Sequence, residues 1–247
     1  MMEGGFKRLM MRGDGAGAAF PLSLSPFAWW RVYPGSIWQD TAGTVAATAD
    51  GDPVGRVDDL STNGRHLLQS TAAARPVLRT SGGLYWLEFD GVDDRLRVTW
   101  SSTPQPITRI GSVYQISWTA NERCWDGGAG NESSVYQNVA SPNLSEANPS
   151  GASLNDEVLS DWMVITERMY GAGTLSSVSV DNNAYVTQIV GWAATAQTGF
   201  TVAAYGTGTA SFGNIRWSGH FFKDATMTDE NIALLRTYLG ADVGKVL

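Results

Sequence analysis

The 247-residue sequence has few of the side chains on which many catalytic and metal sites depend. It contains one cysteine, Cys124, which excludes an internal disulfide and a cysteine-rich zinc site. It contains two histidines, His66 and His220, and neither is accompanied by a serine or cysteine nucleophile motif. A turn or packing role is therefore expected for both histidines.

Long apolar runs and clusters of basic residues are missing as well. No stretch approaches 18 consecutive apolar residues, which argues against a membrane span. The formal net charge is −7, and the 17 Lys and Arg residues are too scattered to form the basic patch that nucleic acid requires. No compact apolar region follows the basic residues of segment 1–12, so no secretory signal is predicted. Neither nucleic acid nor a membrane is an expected partner.

Turn-forming and aromatic residues are abundant. The chain has 28 Gly, nine Pro, ten Trp, eight Tyr and eight Phe. Many short segments separated by Gly and Pro are typical of all-β architecture. Residues 27–247 are therefore predicted to form one β-sandwich domain. Residues 1–26 form a Gly- and Met-rich N-terminal arm, which is either a disordered tail or a peptide that orders against a neighbouring subunit.

Alternating apolar and polar residues predict a series of strands, and the last segment predicts a helix. The strands are expected at 84–89, 95–100, 110–118, 160–168, 174–180, 184–191, 199–205 and 212–222. The break at 181–183 (DNN) predicts a hairpin turn between two of these strands. Thr228 is a candidate N-cap, Ile232, Leu235 and Leu239 share one helical face, and Gly240 is the expected stop. Residues 121–157 are polar and predict a long loop region.

The segment Phe89–Asp94 (FDGVDD) is the most informative part of the sequence. Gly91 supplies backbone freedom, and Asp90, Asp93 and Asp94 can accept hydrogen bonds from turn amides, which indicates a structural turn between two strands. Two alternatives remain open for these acids. One is a carboxylate pair for glycoside hydrolysis among Glu88, Asp90 and Asp93, which Gly91 opposes because it ends the strand between these acids. The other is a calcium site, although calcium needs six or more oxygen ligands. We expect neither a catalytic residue nor a cofactor here.

Aromatic residues near the Asn-rich middle are candidates for stacking on sugar rings. The candidate glycan-binding residues are Trp118, Trp125, Asp126, Asn131 and Tyr136. The remaining tryptophans within strand patterns are expected in the core: Trp38, Trp86, Trp100, Trp162, Trp192 and Trp217.

The FDGVDD turn resembles a signature of the concanavalin A-like, laminin-G-like sandwich modules found in tailed-phage virion proteins and bacterial surface proteins. The segments 51–76 and 227–240 resemble the stretch that precedes the turn and the closing helix of these modules. The resemblance implies a two-sheet antiparallel jelly roll with a short C-terminal helix. It also implies either carbohydrate binding or a structural role in capsids, tails or fibres.

Together these features favour a non-enzymatic structural or decoration protein of a phage particle, exposed on the virion surface. Its expected partners are other virion subunits, copies of itself and a surface polysaccharide. The first alternative is a carbohydrate-binding module for host recognition. The second is a polysaccharide-cleaving glycosidase, which requires two carboxyl groups close together in a groove.

Overall fold

A computed structural model of the chain describes residues 19–130, 132–137, 141, 143–147, 152–153, 158–170, 176–188 and 196–247. These residues form two antiparallel β-sheets and two α-helices, α1 (Ala19–Ser23) and α2 (Asp229–Asp242). No helix among the described residues is long and apolar enough to cross a membrane. The strands are β1 (Ala28–Arg31), β2 (Ile37–Trp38), β3 (Arg56–Val57), β4 (Leu67–Leu68), β5 (Val77–Ser81), β6 (Leu84–Glu88), β7 (Leu96–Thr103), β8 (Ile107–Gln115), β9 (Arg123–Gly127), β10 (Ser134–Gln137), β11 (Leu144–Ala147), β12 (Ala152–Ser153), β13 (Trp162–Met169), β14 (Ser176–Val180), β15 (Val186–Gln188), β16 (Gln197–Val202) and β17 (Ile215–Lys223).

Within the described residues, the first sheet has eight strands and the second has nine. The first sheet runs in the order β15-β14-β13-β8-β17-β6-β5, and β1 also pairs with β17. The second sheet runs β12-β11-β10-β9-β16-β7-β4-β3-β2. This arrangement confirms the predicted two-sheet antiparallel sandwich with a C-terminal helix.

The inner faces of the two sheets share one apolar core. Val113, Ile165 and Trp217 of the first sheet belong to the same buried cluster as Trp125 and Phe200 of the second. Strand periodicity explains this arrangement, because residues two apart on a strand point to the same face. Burial of this apolar surface is the main stabilising contribution to the sandwich.

A smaller cluster joins the outer face of the first sheet to α2. Leu235 and Leu239 of the helix pack against Ile110, Val164 and Phe221 of the sheet. This arrangement confirms the predicted amphipathic helix, although the helix continues beyond Gly240 to Asp242. The helix therefore covers the part of the outer face around these three sheet residues.

Residues 19–26 of the predicted arm belong to the folded part of the chain. Phe20 of α1 lies 6.3 Å from the ring of Tyr238, and Lys223 donates to the carbonyl of Ser25. The docked region thus begins before the predicted boundary at 26. The first 18 residues of the arm lie outside the described residues.

The prediction that residues 121–157 form a loop region is wrong. Four strands, β9 to β12, occupy part of this segment and extend the second sheet. All five residues of β9 are buried, and Ser133, Ser134 and Gln137 are buried near it. A strand buried on both faces loses the alternating pattern by which it could be recognised.

A buried ion pair links the first sheet to the segment before β10. Arg109 Nη2 donates to Glu167 Oε1 at 2.5 Å and to the carbonyl of Ser133 at 2.9 Å, and both charged side chains are fully buried. The other oxygen of Glu167 accepts a bond from Trp125 Nε1 at 3.0 Å. These hydrogen bonds and the ion pair offset the free-energy cost of burying the two charged groups.

The N-cap of α2 gives a direct test of the helix assignment. Thr228 Oγ1 accepts a hydrogen bond from the backbone N–H of Asn231 at 3.3 Å. We expect Thr228→Ala to lower the free energy of unfolding by about 1 kcal/mol, as measured by urea denaturation. Thr237→Ala, within the same helix, is the control and should change stability by less than about 0.5 kcal/mol. Equal effects of the two substitutions would contradict a specific capping role.

Candidate active site

The acidic turn predicted from the sequence connects the two sheets. Strand β6, which precedes the turn, pairs with β5 and β17 of the first sheet, whereas β7, which follows it, pairs with β4 and β16 of the second. The turn is therefore a corner of the sandwich at which the chain changes sheets. We call residues 89–94 the acidic corner.

Local bonds hold the acidic corner in place. Asp90 Oδ1 accepts the N–H groups of Val92 at 2.8 Å and Asp93 at 3.4 Å, and Asp94 Oδ2 accepts the N–H of Asp90 at 3.1 Å. Gly91 has φ of +75°, and a Cβ at this position would lie 2.9 Å from Cβ of Asn214. The corner therefore requires glycine both for its backbone conformation and for the close approach of Asn214.

The acidic corner also borders a concave cavity of about 400 Å³. The cavity lies beside the outer face of the first sheet, where β5, β6 and β17 end. Its walls are formed by Ala73, Arg75, Val77, Arg79, Glu88, Phe89, Asp90, Asp94, Ile116, Asn214 and Arg216. Carboxylates, guanidinium groups and an amide thus meet in one recess, which is the composition expected of a polar ligand site.

Ion pairs order one wall of this cavity. Glu88 accepts from Arg79 Nε at 3.1 Å through one oxygen and from Arg216 Nε at 2.9 Å through the other. Arg75 donates from Nε to the carbonyl of Gln69 at 3.1 Å. Because each guanidinium is held by an acceptor, the side chains have defined positions before any ligand arrives.

Asp94 differs from the other acids because of its environment. Only 6% of the residue is exposed. Burial raises the pKa of its carboxyl group to about 6, and the neighbouring charge of Asp90 adds to this effect. The bond from the Asp90 amide opposes the shift without cancelling it. Asp94 is therefore largely protonated in mildly acidic solution and can donate a proton.

The carboxylates of the corner lie close together. One oxygen from each of Asp90, Asp93 and Asp94 falls within 4.8 Å of the others, and of these residues Asp90 and Asp94 line the cavity. Retaining glycosidases place two carboxyl groups about 5–5.5 Å apart. A calcium ion would need six or more oxygen ligands, and oxygens of Asp90 and Asp94 are already engaged by turn amides. Asp90 and Asp94 are therefore the two carboxyl groups of the corner that share this cavity.

Two of the residues predicted to bind a glycan lie in the interior of the sandwich. Trp125 and Asp126 are fully buried on β9, so the prediction that they contact a sugar is wrong. Asp126 Oδ2 instead accepts the N–H of Gly206 at 3.0 Å. Trp118 and Tyr136 are half-buried, and Tyr136 lies beneath the guanidinium of Arg123. Asn131 lies outside the described residues.

The tryptophans predicted for the core are divided between the core and the surface. Trp217 is fully buried, whereas Trp38, Trp86, Trp100 and Trp162 are half-buried. The alternating pattern correctly predicts strands at β6 and β13. The prediction that Trp86 and Trp162 point into the core is wrong, because both lie on the outer face of the first sheet. Trp192 lies outside the described residues.

Neither histidine belongs to the cavity. His66 Nδ1 accepts the N–H of Asp59 at 3.1 Å, which is a packing role within a loop. His220 is fully buried against the rings of Trp125 and Phe200. Burial lowers the pKa of His220, and the charge of Arg109 acts in the same direction.

Glu88 was considered only as part of the acidic motif, and Arg75, Arg79, Arg216 and Asn214 were not foreseen. Arg79 and Arg216 occupy outward positions on β5 and β17, directly across the sheet from outward residues of β6. Strand register is what brings them together. In the sequence, each of these two arginines is only a polar residue in an alternating strand. Many solvent-exposed strand faces carry arginine in this way, so the pattern does not indicate a site.

The solved structures that share the fold of this chain include a sialidase, an arabinofuranosidase and a domain of an arabinanase. The Trypanosoma rangeli sialidase, in complex with 2,3-difluorosialic acid as a covalent intermediate, aligns with a TM-score of 0.57 and 11% identity over 88% of this chain and 33% of its own. A GH54 α-L-arabinofuranosidase aligns with a TM-score of 0.56 and 12% identity over 89% and 60%. Domain 4 of AbnA, a GH43 extracellular arabinanase from Geobacillus stearothermophilus in complex with arabinotriose, aligns with a TM-score of 0.50 and 9% identity over 65% and 81%.

No protein-family model and no curated protein matches the sequence. The resemblance of the acidic corner to laminin-G-like modules therefore stays a prediction. The chain spans about a third of the sialidase. At identities near 11% these likenesses establish the fold, and the activity of those proteins is not transferred with it.

The structural comparisons correct two sequence-based conclusions. The prediction of a non-enzymatic virion structural or decoration protein is contradicted, because a sialidase, an arabinofuranosidase and a domain of an arabinanase share the fold. The expectation that the chain is not an enzyme is contradicted by the same finding. A carbohydrate-active fold agrees with the second of the two alternatives.

Proposed function

We propose that the chain is a glycoside-hydrolysing domain whose active site is the cavity beside the acidic corner. The observation that carries this proposal is Asp94, a nearly buried acid that lines the cavity with its pKa raised to about 6 and with Asp90 close by. An acid kept protonated beside a second, exposed carboxylate is the division of roles that glycoside hydrolysis requires.

Each carboxyl group has a defined task in this mechanism. Asp94 Oδ2 accepts the amide of Asp90, so Oδ1 carries the proton that passes to the glycosidic oxygen as its bond to the anomeric carbon breaks. Asp90 Oδ2 forms the bond to the anomeric carbon, while Oδ1 stays bonded to turn amides. Asp94 then takes a proton from a water molecule, whose oxygen displaces Asp90 and releases the sugar.

The other cavity residues position the substrate. Arg75, Arg79 and Arg216 present guanidinium N–H groups, and Asn214 presents an amide. Glu88 orders two of these guanidinium groups, as its bonds to Arg79 and Arg216 show. Donors and acceptors in fixed positions match the hydroxyl groups of a sugar, which both donate and accept hydrogen bonds.

The pH dependence of hydrolysis tests this assignment. We expect product release to be fastest below about pH 6 and to fall at higher pH, because the raised pKa of Asp94 marks the loss of the catalytic proton. The measurement is reducing-sugar release between pH 4 and 8 from linear arabinan, xylan, β-glucan, galactomannan and sialyllactose. The absence of release from all five substrates, or a rate that does not change between pH 5 and 8, would contradict the assignment.

A second candidate function is saccharide recognition at the same cavity. It is favoured by the AbnA domain, whose structure holds arabinotriose and which shares this fold over 81% of its length. Arabinotriose binding without product formation, measured by titration calorimetry, would favour recognition over hydrolysis.

A further inference from the structure

A row of outward side chains crosses the first sheet and ends at the cavity. The backbone register pairs Trp162 with Tyr114, Tyr114 with Arg216, and Arg216 with Glu88. The row therefore spans β13, β8, β17 and β6, which corresponds to roughly 14 Å at the usual strand spacing. We call these four residues the cross-strand row.

The cross-strand row is partly exposed, whereas neighbouring residues on the same face lie under the helix α2. All four of its residues are half-buried. The helix α2 packs on Ile110, Val164 and Phe221, which lie further along the same strands. The row is therefore part of the outer face that the helix leaves uncovered.

The side chains of the row are ordered by contacts with one another. The ring of Tyr114 lies 5.7 Å from that of Trp162, and the guanidinium of Arg216 lies 4.7 Å from the centroid of Tyr114. Trp86, beside the row, lies 6.3 Å from Trp162 and 5.6 Å from Arg216. These contacts fix the rings before a ligand arrives, so little side-chain entropy is lost on binding.

Charged groups border the aromatic end of the row. Lys245 Nζ pairs with Asp181 at 2.6 Å and donates to the carbonyl of Trp162, and Asp161 lies near the same ammonium group. An apolar ring surface edged by donors and acceptors suits a sugar, which has an apolar face and a rim of hydroxyl groups.

We infer that the cross-strand row is a second saccharide subsite and that it holds successive sugar units of a polysaccharide whose chain continues into the cavity. This inference rests on the proposed function, because Glu88 and Arg216 belong both to the row and to the cavity wall. The continuity specifies the occupant. A single sugar unit in the cavity does not reach Trp162, whereas a polymer contacts both regions.

The test compares polymer binding by matched tryptophan variants. Each variant is made in the full chain with Asp94→Asn, which prevents turnover during the measurement. Trp162→Ala removes the far end of the row. Trp38→Ala removes a tryptophan that is also half-buried but lies on β2 of the other sheet. Tyr114→Ala is the second row variant if Trp162→Ala does not fold, and thermal melting reports folding.

Affinity electrophoresis in gels containing linear arabinan, xylan, β-glucan or galactomannan measures the dissociation constants. We expect Trp162→Ala to weaken binding of the preferred polymer about fivefold to tenfold and Trp38→Ala to change it less than about twofold. Binding of the monosaccharide arabinose should be the same in both variants. Retardation by none of the polymers, or equal retardation of the two variants, would overturn the inference.

The outcomes separate this inference from the proposed function. If the wild-type chain hydrolyses a polymer but Trp162→Ala binds it normally, the row is not a subsite and the active-site assignment stands. If the wild-type chain hydrolyses nothing but Trp162→Ala weakens binding, the row is a subsite and the catalytic assignment fails.

Discussion

Asp94→Asn is expected to reduce hydrolysis by at least about 10²-fold, because asparagine cannot protonate a leaving oxygen. The substitution preserves shape, and the amide oxygen of asparagine can still accept the N–H of Asp90, a bond of 3.1 Å in the wild type. The binding of polysaccharide should therefore persist. Initial rates on the best substrate of the panel, together with a polymer-binding measurement, distinguish lost chemistry from lost folding.

The same substitution should stabilise the protein at high pH. The pKa of Asp94 is about 6 in the folded chain and 3.8 as the ordinary value, so the folded state binds the proton more tightly than the unfolded state does. The free energy of unfolding of the wild type consequently decreases as pH rises from about 4 through 6. Asparagine removes this decrease. We expect a gain of about 1–2 kcal/mol at pH 8 and none at pH 3.5, after allowing for screening by water in the cavity.

Urea denaturation at the two pH values measures the difference. Asp93→Asn is the matched control, because Asp93 belongs to the acidic corner but does not line the cavity. It should leave hydrolysis within about threefold of the wild type. A destabilised Asp94→Asn protein at pH 8 would show that the ionised carboxylate holds the corner together, and the active-site proposal would lose its main support.

Glu167→Gln is expected to have the largest effect on stability, lowering the free energy of unfolding by about 3–5 kcal/mol. The substitution leaves Arg109 fully buried without the charge that now lies 2.5 Å away. A neutral amide cannot offset a guanidinium ion in the interior. The bond from Trp125 Nε1 can be kept, because glutamine also has an acceptor oxygen.

Two further variants define the origin of this loss. Glu88→Gln removes a half-exposed partner of Arg79 and Arg216 and should cost less than about 1 kcal/mol. Arg109→Met combined with Glu167→Gln should recover at least half of the stability lost in Glu167→Gln alone, because it removes the unpaired charge. If the double variant is as unstable as the single one, the loss has a cause other than burial of the arginine.

The sandwich could be predicted because its signals are local. The acidic corner, the break at 181–183 and the helix start at Thr228 each depend on residues a few positions apart. Asn183 N–H bonds the carbonyl of Val180 between β14 and β15, as the hairpin prediction requires. In the middle of the chain, buried polar side chains form hydrogen bonds with residues of strands that are distant in the sequence. The pattern of one segment alone does not show such bonds, so the sequence does not predict these strands.

The candidate active site could be predicted only in part. The sequence offers Asp90 with Glu88 and Asp93 as candidates for a carboxylate pair. It leaves Asp94 out of this pair and assigns Asp90 and Asp94 to the turn alone. Their hydrogen bonds show the turn role, but the same residues also line a cavity. The cavity depends on Arg216 and Asn214, which follow the corner by more than 100 residues. Only the register of β17 against β6 brings these residues together.

Strand β17 occupies the middle of the first sheet, where it pairs with β1, β6 and β8. A ribosome therefore makes these three partners well before the strand that joins them. Until residue 223 has left the exit tunnel, their edges have no partner and are open to pairing with other chains. Folding of the first sheet is then coupled to synthesis of β17, and nascent chains that stall before β17 should depend strongly on chaperones. The risk of aggregation through the edges of β1, β6 and β8 therefore falls only when β17 has paired with them.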